Sequence, residues 1–144
     1  MKVPTLTHKF VDLIPDELES NVLYVSLEFA TVTHCCCCGC GREVVTPLSP
    51  TDWQMTFDGE SVSLQPSIGN WSFPCRSHYW VKEGEIHWAE NWSDEKIKSC
   101  REIDKAQKDN FFGSEVERQT ASEELVAPED SKNCWWSIKR LIGW

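Results

Sequence analysis

Five of the chain's eight cysteines stand in six consecutive positions, in the segment CCCCGC from Cys35 to Cys40. The remaining cysteines are Cys75, Cys100 and Cys134, too few to supply distant disulfide partners for the whole cluster. In a reducing compartment, clustered cysteines indicate metal ligands or catalytic thiols before disulfides. The segment therefore predicts a fold built around a metal ion.

Two groups of residues with metal-ligand spacing flank a predicted hairpin. The first group is Cys36, Cys38 and Cys40, where neighbouring glycines give the backbone the freedom to bring the sulfurs together. The second is Cys75 and His78, which have the short spacing of a zinc knuckle. Thiolates and imidazole suit Zn²⁺, which takes four ligands, so these five candidates compete for four places. Cys35 and Cys37 are out of step with the first group, and we expect them not to be ligands.

The spacing by itself favours a structural zinc, but a catalytic zinc needs an open position and a nearby base. We expect Glu28 and His34 to lie on one face of a strand that leads to the cluster, which makes Glu28 the candidate general base. Glu28 could equally be a solvated carboxylate on an exposed strand. His34 is either a ligand or a hydrogen-bond donor to a ligand. Ser67 and Ser77 are weaker candidates, as hydrogen-bond donors to an oxyanion.

Charge and hydropathy limit the classes of function. The net charge of −9 and the pI of about 4.9 disfavour nucleic-acid binding, because an acidic surface repels phosphates. No run of about 18 apolar residues predicts a membrane span. The first residues, MKVPTLTHKFVDLIPDE, lack the apolar centre of a secretory signal, so we expect a cytoplasmic protein.

The residue patterns predict an α+β fold that is mainly antiparallel β. Val22 to His34 is expected to form one strand, with Val25, Leu27 and Phe29 facing the core, and THKFVDLI to pair with it. WQMTFDGESVSLQP and HYWVKEGEIHWA are typical of two hairpins. A helix is expected from Ser93 to Gly113.

These elements predict three regions. Residues 1–113 form the zinc-binding β-rich domain with its helix. Residues 114–133 are polar and acidic with few apolar anchors, which indicates a flexible linker. Residues 134–144, CWWSIKRLIGW, form a short amphipathic segment at the end of an acidic tail.

The stretch from about Tyr24 to Trp92 resembles the bacterial family DUF6527. The resemblance rests on His-x-Cys-x-Cys-Gly-Cys-Gly, which begins at His34, on Pro-Ser-Ile, and on Cys-x-Ser-His-aromatic-Trp, which begins at Cys75. Position 37 is often proline in that pattern, so Cys37 departs from it. The resemblance implies a zinc-dependent peptidase that is associated with ubiquitin-like proteins and their E1- and E2-like conjugating enzymes.

Residues and resemblance together predict a zinc peptidase that processes or deconjugates a bacterial ubiquitin-like protein. Its metal residues would be drawn from the five candidates above, and its catalytic residues would be Glu28, His34 and Ser77. The main alternative is a non-catalytic module, stapled by zinc, that binds a ubiquitin-like protein or a conjugation enzyme. Four protein ligands on the zinc would favour this alternative, whereas three ligands and a water would favour the enzyme. A weaker alternative is a thiol redox protein that uses Cys35 and Cys38.

Overall fold

A computed structural model describes residues 1–118 of the chain, with side chains up to residue 113. The chain divides into a compact unit, Met1–Asn91, and a second unit that begins at Trp92. The first unit holds eight strands in two four-stranded sheets, and the second holds one described helix. This architecture confirms the predicted α+β class with mainly antiparallel strands.

The first sheet is formed by consecutive strands in the order β1-β2-β3-β4. Their bounds are Thr7–Phe10, Val22–Ser26, Thr31–Cys35 and Glu43–Pro47. The predicted pairing of β1 with β2 is confirmed, and it is parallel, whereas β2-β3 and β3-β4 are antiparallel. The end of β3 and the start of β4 bracket the cysteine-rich segment.

The prediction of one long strand from Val22 to His34 is wrong. The chain reverses between β2 and β3, which pair with Ser26 opposite Thr31, and Ala30 adopts the left-handed conformation with φ of 46°. Val25 is fully buried as expected, but Leu27 and Phe29 lie in the turn and are 65% and 55% exposed. The turn contains no glycine, proline or asparagine, so the sequence carries none of the usual signals for a reversal.

The second sheet contains both predicted hairpins, in the order β5-β6-β7-β8. Its strands are Gln54–Phe57, Val62–Gly69, His78–Lys82 and Glu85–Trp88. Glu83 and Gly84 join β7 to β8 with φ of 50° and 76°. Positive φ at both central residues is typical of the type I′ turn, whose twist matches that of antiparallel strands.

The two sheets share one hydrophobic core. Each contributes branched aliphatic side chains, and Val25, Val32, Leu64 and Val81 are completely buried. Cys36 and Cys37 belong to the same core cluster. The cysteine segment is therefore anchored in the core and does not form an independent surface loop.

The helix α1 runs from Asp94–Arg118. Ser93 caps it as expected, because its Oγ accepts a hydrogen bond from the Lys96 amide at 3.3 Å. The helix continues past Gly113, where the linker was expected to begin, since one glycine inside a helix costs only about 1 kcal/mol. The rest of the predicted linker and the segment 134–144 lie outside the described residues. Among the described residues, no helix has the length and apolar character needed to cross a membrane.

Candidate functional site

The first part of the site is the turn between β3 and β4. The Cys36 amide donates to the Arg42 carbonyl at 2.7 Å, and the Gly39 amide donates to the Cys36 carbonyl at 3.0 Å. Gly39 and Gly41 have φ of 85° and 74°, which other residues adopt only with strain. These two glycines let the short turn direct several cysteine side chains to one point.

The second part of the site is the loop between β6 and β7, which carries Cys75. The loop is closed by a hydrogen bond from the Asn70 amide to the Ser77 carbonyl at 2.8 Å. Within it, the Phe73 amide donates to Asn70, and Arg76 adopts the left-handed conformation with φ of 44°. This loop holds Cys75 against the cysteine turn of the other sheet.

Four thiols meet between these two loops, those of Cys36, Cys38, Cys40 and Cys75. Their sulfur atoms all lie within 4.8 Å of one another. The sulfurs of Cys36 and Cys38 are 3.4 Å apart, and that of Cys75 is 3.9 Å from those of Cys36 and Cys40. Four thiolates around Zn²⁺ at about 2.3 Å would stand about 3.8 Å from each other. The four cysteines therefore fit a tetrahedral metal site.

Polar groups surround the thiols from the core side. The Ser77 hydroxyl lies 3.1 Å from the Cys36 sulfur and accepts a hydrogen bond from the Asn70 side-chain amide at 2.9 Å. Burial opposes ionisation of Cys75, but hydrogen bonds from Ser77, Cys38 and Cys40 outweigh it and lower the pKa of Cys75 to about 7. Ser77, which was predicted to bind an oxyanion, thus contacts the sulfurs of Cys36 and Cys75.

The other two cysteines of the segment stay outside the group of four. Cys37 is fully buried in the core, and burial raises the pKa of its thiol to about 12. The Cys35 thiol donates to the Leu18 carbonyl at 3.6 Å. The thiols of Cys35 and Cys38 therefore have different surroundings, which does not favour a redox pair.

His34 lies in the core and is not part of the thiol group. Its Nε2 lies 2.9 Å from the Tyr79 hydroxyl, and its Nδ1 is buried without a hydrogen-bond partner. Burial lowers the pKa of His34 to about 4, so the ring is neutral at neutral pH. His34 therefore supports the core beside the metal site.

His78 is also absent from the thiol group, although it follows Cys75 at knuckle spacing. Its Nδ1 lies 2.8 Å from the Glu90 carbonyl oxygen, and its Nε2 lies 2.9 Å from the Ser67 hydroxyl. A carbonyl can only accept, so Nδ1 carries a hydrogen, and when the ring is neutral Nε2 is left as an acceptor for the Ser67 hydroxyl. This is the arrangement of a serine nucleophile with an oriented histidine base.

The strand register brings Ser67 and His78 together. His78 pairs with Gly69 across β6 and β7, and Ser67 lies two residues before Gly69, within an irregularity of the register between Leu64 and Ile68. The Ala89 amide donates to the His78 carbonyl at 2.9 Å and keeps the residues after β8 alongside β7. The Glu90 carbonyl can therefore reach the far side of the imidazole.

Trp71 covers the histidine of this pair. Its indole lies 4.8 Å from the His78 ring, centroid to centroid. Gly69 makes this position available, since a Cβ atom there would lie only 2.4 Å from Trp71 Nε1. His78 is 4% exposed, so the tryptophan and the hydrogen bonds hold a shielded ring beside a half-buried serine.

Glu28 is not brought to the cysteines. It lies in the turn after β2, whereas the thiol cluster begins after the opposite end of β3. The length of β3 is five residues, which corresponds to about 16 Å at 3.3 Å per residue. Glu28 and His34 were expected to share one face of a continuous strand. The chain reverses at Leu27 to Ala30, so they do not lie on one strand.

The residue patterns did not predict Ser67 and His78 as a pair. Ser67 was considered only as an oxyanion donor, and His78 was assigned to the metal with Cys75. The order of the residues contains a weak signal, because a serine near the end of one strand and a histidine at the start of the next can meet across a hairpin. The long loop between β6 and β7 makes it impossible to read from the sequence which residues of the two strands pair.

Comparison with known families gives one match. Residues 10–89, more than half of the 144-residue chain, match the family model BubE, described as a bacterial ubiquitination-like system serine protease. The chain belongs to the BubE family. No curated protein and no solved structure matches the chain.

BubE membership bears on the earlier expectations in two ways. It supports the expected connection with a bacterial ubiquitin-like system. It does not carry the name DUF6527 or the expected zinc peptidase chemistry, since BubE is described as a serine protease family. The matched range includes Ser67, His78 and the four clustered cysteines.

Proposed function

We propose that this chain is a serine protease that processes or deconjugates a bacterial ubiquitin-like protein, with Ser67 as nucleophile and His78 as general base. The observation that carries the proposal is the 2.9 Å contact between Ser67 Oγ and His78 Nε2 in a ring whose Nδ1 is held by the Glu90 carbonyl. The BubE description supports the reaction class and the type of substrate. E1- and E2-like conjugation enzymes would be its functional partners.

The chemistry follows from these atoms. His78 Nε2 takes the proton of the Ser67 hydroxyl as Oγ attacks the scissile carbonyl carbon. The same nitrogen then gives this proton to the leaving amine as the C–N bond breaks, which leaves an acyl ester on Ser67. A water molecule, deprotonated by His78, then attacks the ester carbon. As the ester C–O bond breaks, His78 gives this proton to Ser67 Oγ, which releases the carboxylate product and the free serine. The Glu90 carbonyl keeps the ring oriented throughout and stabilises the imidazolium.

The four clustered cysteines would hold Zn²⁺ as a structural ion. Four thiolates complete the tetrahedral set, and a bound zinc would stabilise the fold by fastening the β3–β4 turn to the β6–β7 loop. His78 makes hydrogen bonds at both ring nitrogens and is therefore assigned to catalysis in this proposal. Four cysteine ligands would leave no position on the zinc for a water molecule, which argues against zinc-bound water as the nucleophile.

The test uses cleavage of a ubiquitin-like protein fused through its C-terminus to a reporter protein. Ser67→Ala should lower the cleavage rate by about 10⁴-fold or more, the usual loss when a serine nucleophile is removed. A fluorophosphonate probe should label the wild-type chain at Ser67, as read by mass spectrometry of the labelled peptide. Zinc content should be the same in the two proteins.

Ser77→Ala is the matched control, because Ser77 lies beside the thiol cluster and is the other serine considered for catalysis. It should keep the fluorophosphonate label. Full cleavage by Ser67→Ala, or a label on another serine, would refute the proposed nucleophile. Binding of the fusion without cleavage by the wild-type chain would favour the non-catalytic, zinc-stapled binding module.

A further inference from the structure

A preformed groove lies at the end of the first sheet that is remote from the cysteines. We call it the β2–β3 groove. Its volume is about 510 Å³, and its lining residues are Phe10, Val11, Asp12, Leu13, Val25, Leu27 and Glu28. Val25 forms a fully buried floor, and the walls are the segment after β1 and the turn after β2.

Hydrogen bonds fix both walls of the groove. The Val11 amide donates to the Val25 carbonyl at 2.9 Å. The Ser26 hydroxyl donates to the Asp12 carbonyl at 2.8 Å and lies 3.4 Å from the Phe29 amide, from which it accepts. Ser26 is fully buried, so one side chain ties the two walls together. A partner would not have to order the groove before binding, which lowers the entropic cost of association.

Three large apolar side chains at this groove are exposed. Phe10 is 45% exposed, Leu13 69% and Leu27 65%. Single exposed apolar residues are ordinary, but several around one concave surface are typical of a site for a protein partner. The apolar groups provide the surface whose burial would drive association.

The charge of the groove limits the partner. Its charged lining residues are Asp12 and Glu28, both exposed, and no lysine or arginine lines it. In the described part of the chain, neither carboxylate takes part in an ion pair. A complementary surface would therefore carry apolar side chains flanked by lysine or arginine. The net charge of −9 would further favour encounter with a basic surface.

The groove and the serine–histidine pair are joined through Phe57. The Phe10 and Phe57 rings are 5.2 Å apart, and Phe57 pairs with Val62 at the start of β6. Ser67 lies five residues further along β6, at most about 17 Å away at 3.3 Å per residue, because β6 is irregular between Leu64 and Ile68. An extended peptide of about five to seven residues spans this distance. A folded domain in the groove could thus place a C-terminal tail at Ser67.

Resting on the proposed function, we propose that the β2–β3 groove binds the folded body of the ubiquitin-like substrate through an apolar patch flanked by basic residues. The C-terminal tail of the same molecule then reaches Ser67. The groove contributes substrate affinity and no chemistry. It gives Glu28 a role in recognition.

The experiment compares two probes that share one scissile bond. One is the ubiquitin-like protein of the same bacterial system fused to a reporter protein, and the other is a peptide with only its last seven residues. Leu27→Asp should lower kcat/KM for the fusion by about 10- to 100-fold through KM, as expected for a central apolar contact. It should leave peptide cleavage unchanged. Val45→Asp is the matched control, since Val45 is 50% exposed on β4 outside the groove, and it should change neither.

Binding separates this inference from the proposed function. In the Ser67→Ala background, Leu27→Asp should weaken the Kd for the uncleaved fusion at least tenfold, and Glu28→Lys should weaken it less at high salt than at low salt. Equal binding with and without Leu27→Asp, or equal slowing of fusion and peptide, would overturn the groove proposal even if Ser67 is the nucleophile. Groove-dependent binding together with cleavage by Ser67→Ala would instead keep the groove and refute the nucleophile.

Discussion

Cys75 and His78 are three residues apart, yet Cys75 belongs to a cluster of thiols and His78 contacts a serine. Cys75 joins three cysteines of the other sheet in a closed set of thiols that fits a metal ion. His78 makes its hydrogen bonds to Ser67 and to the Glu90 carbonyl, and it is not among the four thiols. Knuckle spacing alone therefore does not make two residues ligands of one ion. Here β7 begins at His78, so His78 belongs to a strand and Cys75 to the preceding loop.

The metal half of this comparison is tested by Cys75→Ser, which should have the largest effect. We expect about one zinc per wild-type chain and almost none in the variant, because one of four thiolates is lost. The free energy of unfolding should fall by about 4 kcal/mol or more, since structural zinc binding contributes about 10–16 kcal/mol in small domains. Elemental analysis and thermal unfolding provide the two measurements.

Cys35→Ser is the control for this substitution, because the Cys35 thiol stands next to the cluster in sequence but outside it in space. It should keep both zinc and stability. A folded, metal-free Cys75→Ser protein with wild-type stability would show that zinc does not stabilise the fold.

Gly69→Ala tests whether Trp71 supports His78, and its expected effect is intermediate in size. A Cβ atom at this position would fall 2.4 Å from Trp71 Nε1, so the indole that contacts His78 must shift. Cleavage of the ubiquitin-like fusion should fall by about 10- to 100-fold, because small displacements of a catalytic group cost about that much. Zinc content should not change.

Gly113→Ala is the corresponding control, since among the described residues no atom apart from the neighbouring helix backbone lies within 4 Å of a Cβ atom at this position. It should cleave at the wild-type rate. Loss of zinc in Gly69→Ala would mean that the two sites are not separate, and an unchanged rate would mean that Trp71 does not support the histidine.

The core between the two sites is tested by Tyr79→Phe, with the smallest expected effect. Its hydroxyl lies 2.9 Å from His34 Nε2, and removing it leaves both nitrogens of a buried neutral ring without a partner. The free energy of unfolding should fall by about 1–3 kcal/mol, the cost of an unsatisfied buried polar group. Urea unfolding measures this loss. A stability equal to that of the wild type would show that the Tyr79 hydroxyl does not support His34.

Local patterns were sufficient for most of the fold. Alternating apolar residues and the turn dipeptides Asp58-Gly59 and Glu83-Gly84 predicted both hairpins of the second sheet, and Ser93 predicted the helix start. The reversal between β2 and β3 was missed because its residues carry no turn signal. Because this turn reverses the chain, Leu27 and Phe29 are exposed and Glu28 lies away from the cysteines. The prediction of one continuous strand was therefore wrong for all three residues.

The sequence by itself determined that clustered cysteines near Gly39 and Gly41 could converge on a metal, because spacing and backbone freedom are local properties. Only the tertiary structure decided which cysteines meet, since Cys75 arrives from the other sheet. It also decided that His78 lies against Ser67, because the pairing of β6 with β7 sets His78 opposite Gly69, two residues after Ser67. Register depends on pairing between distant segments, and no spacing within either segment contains it.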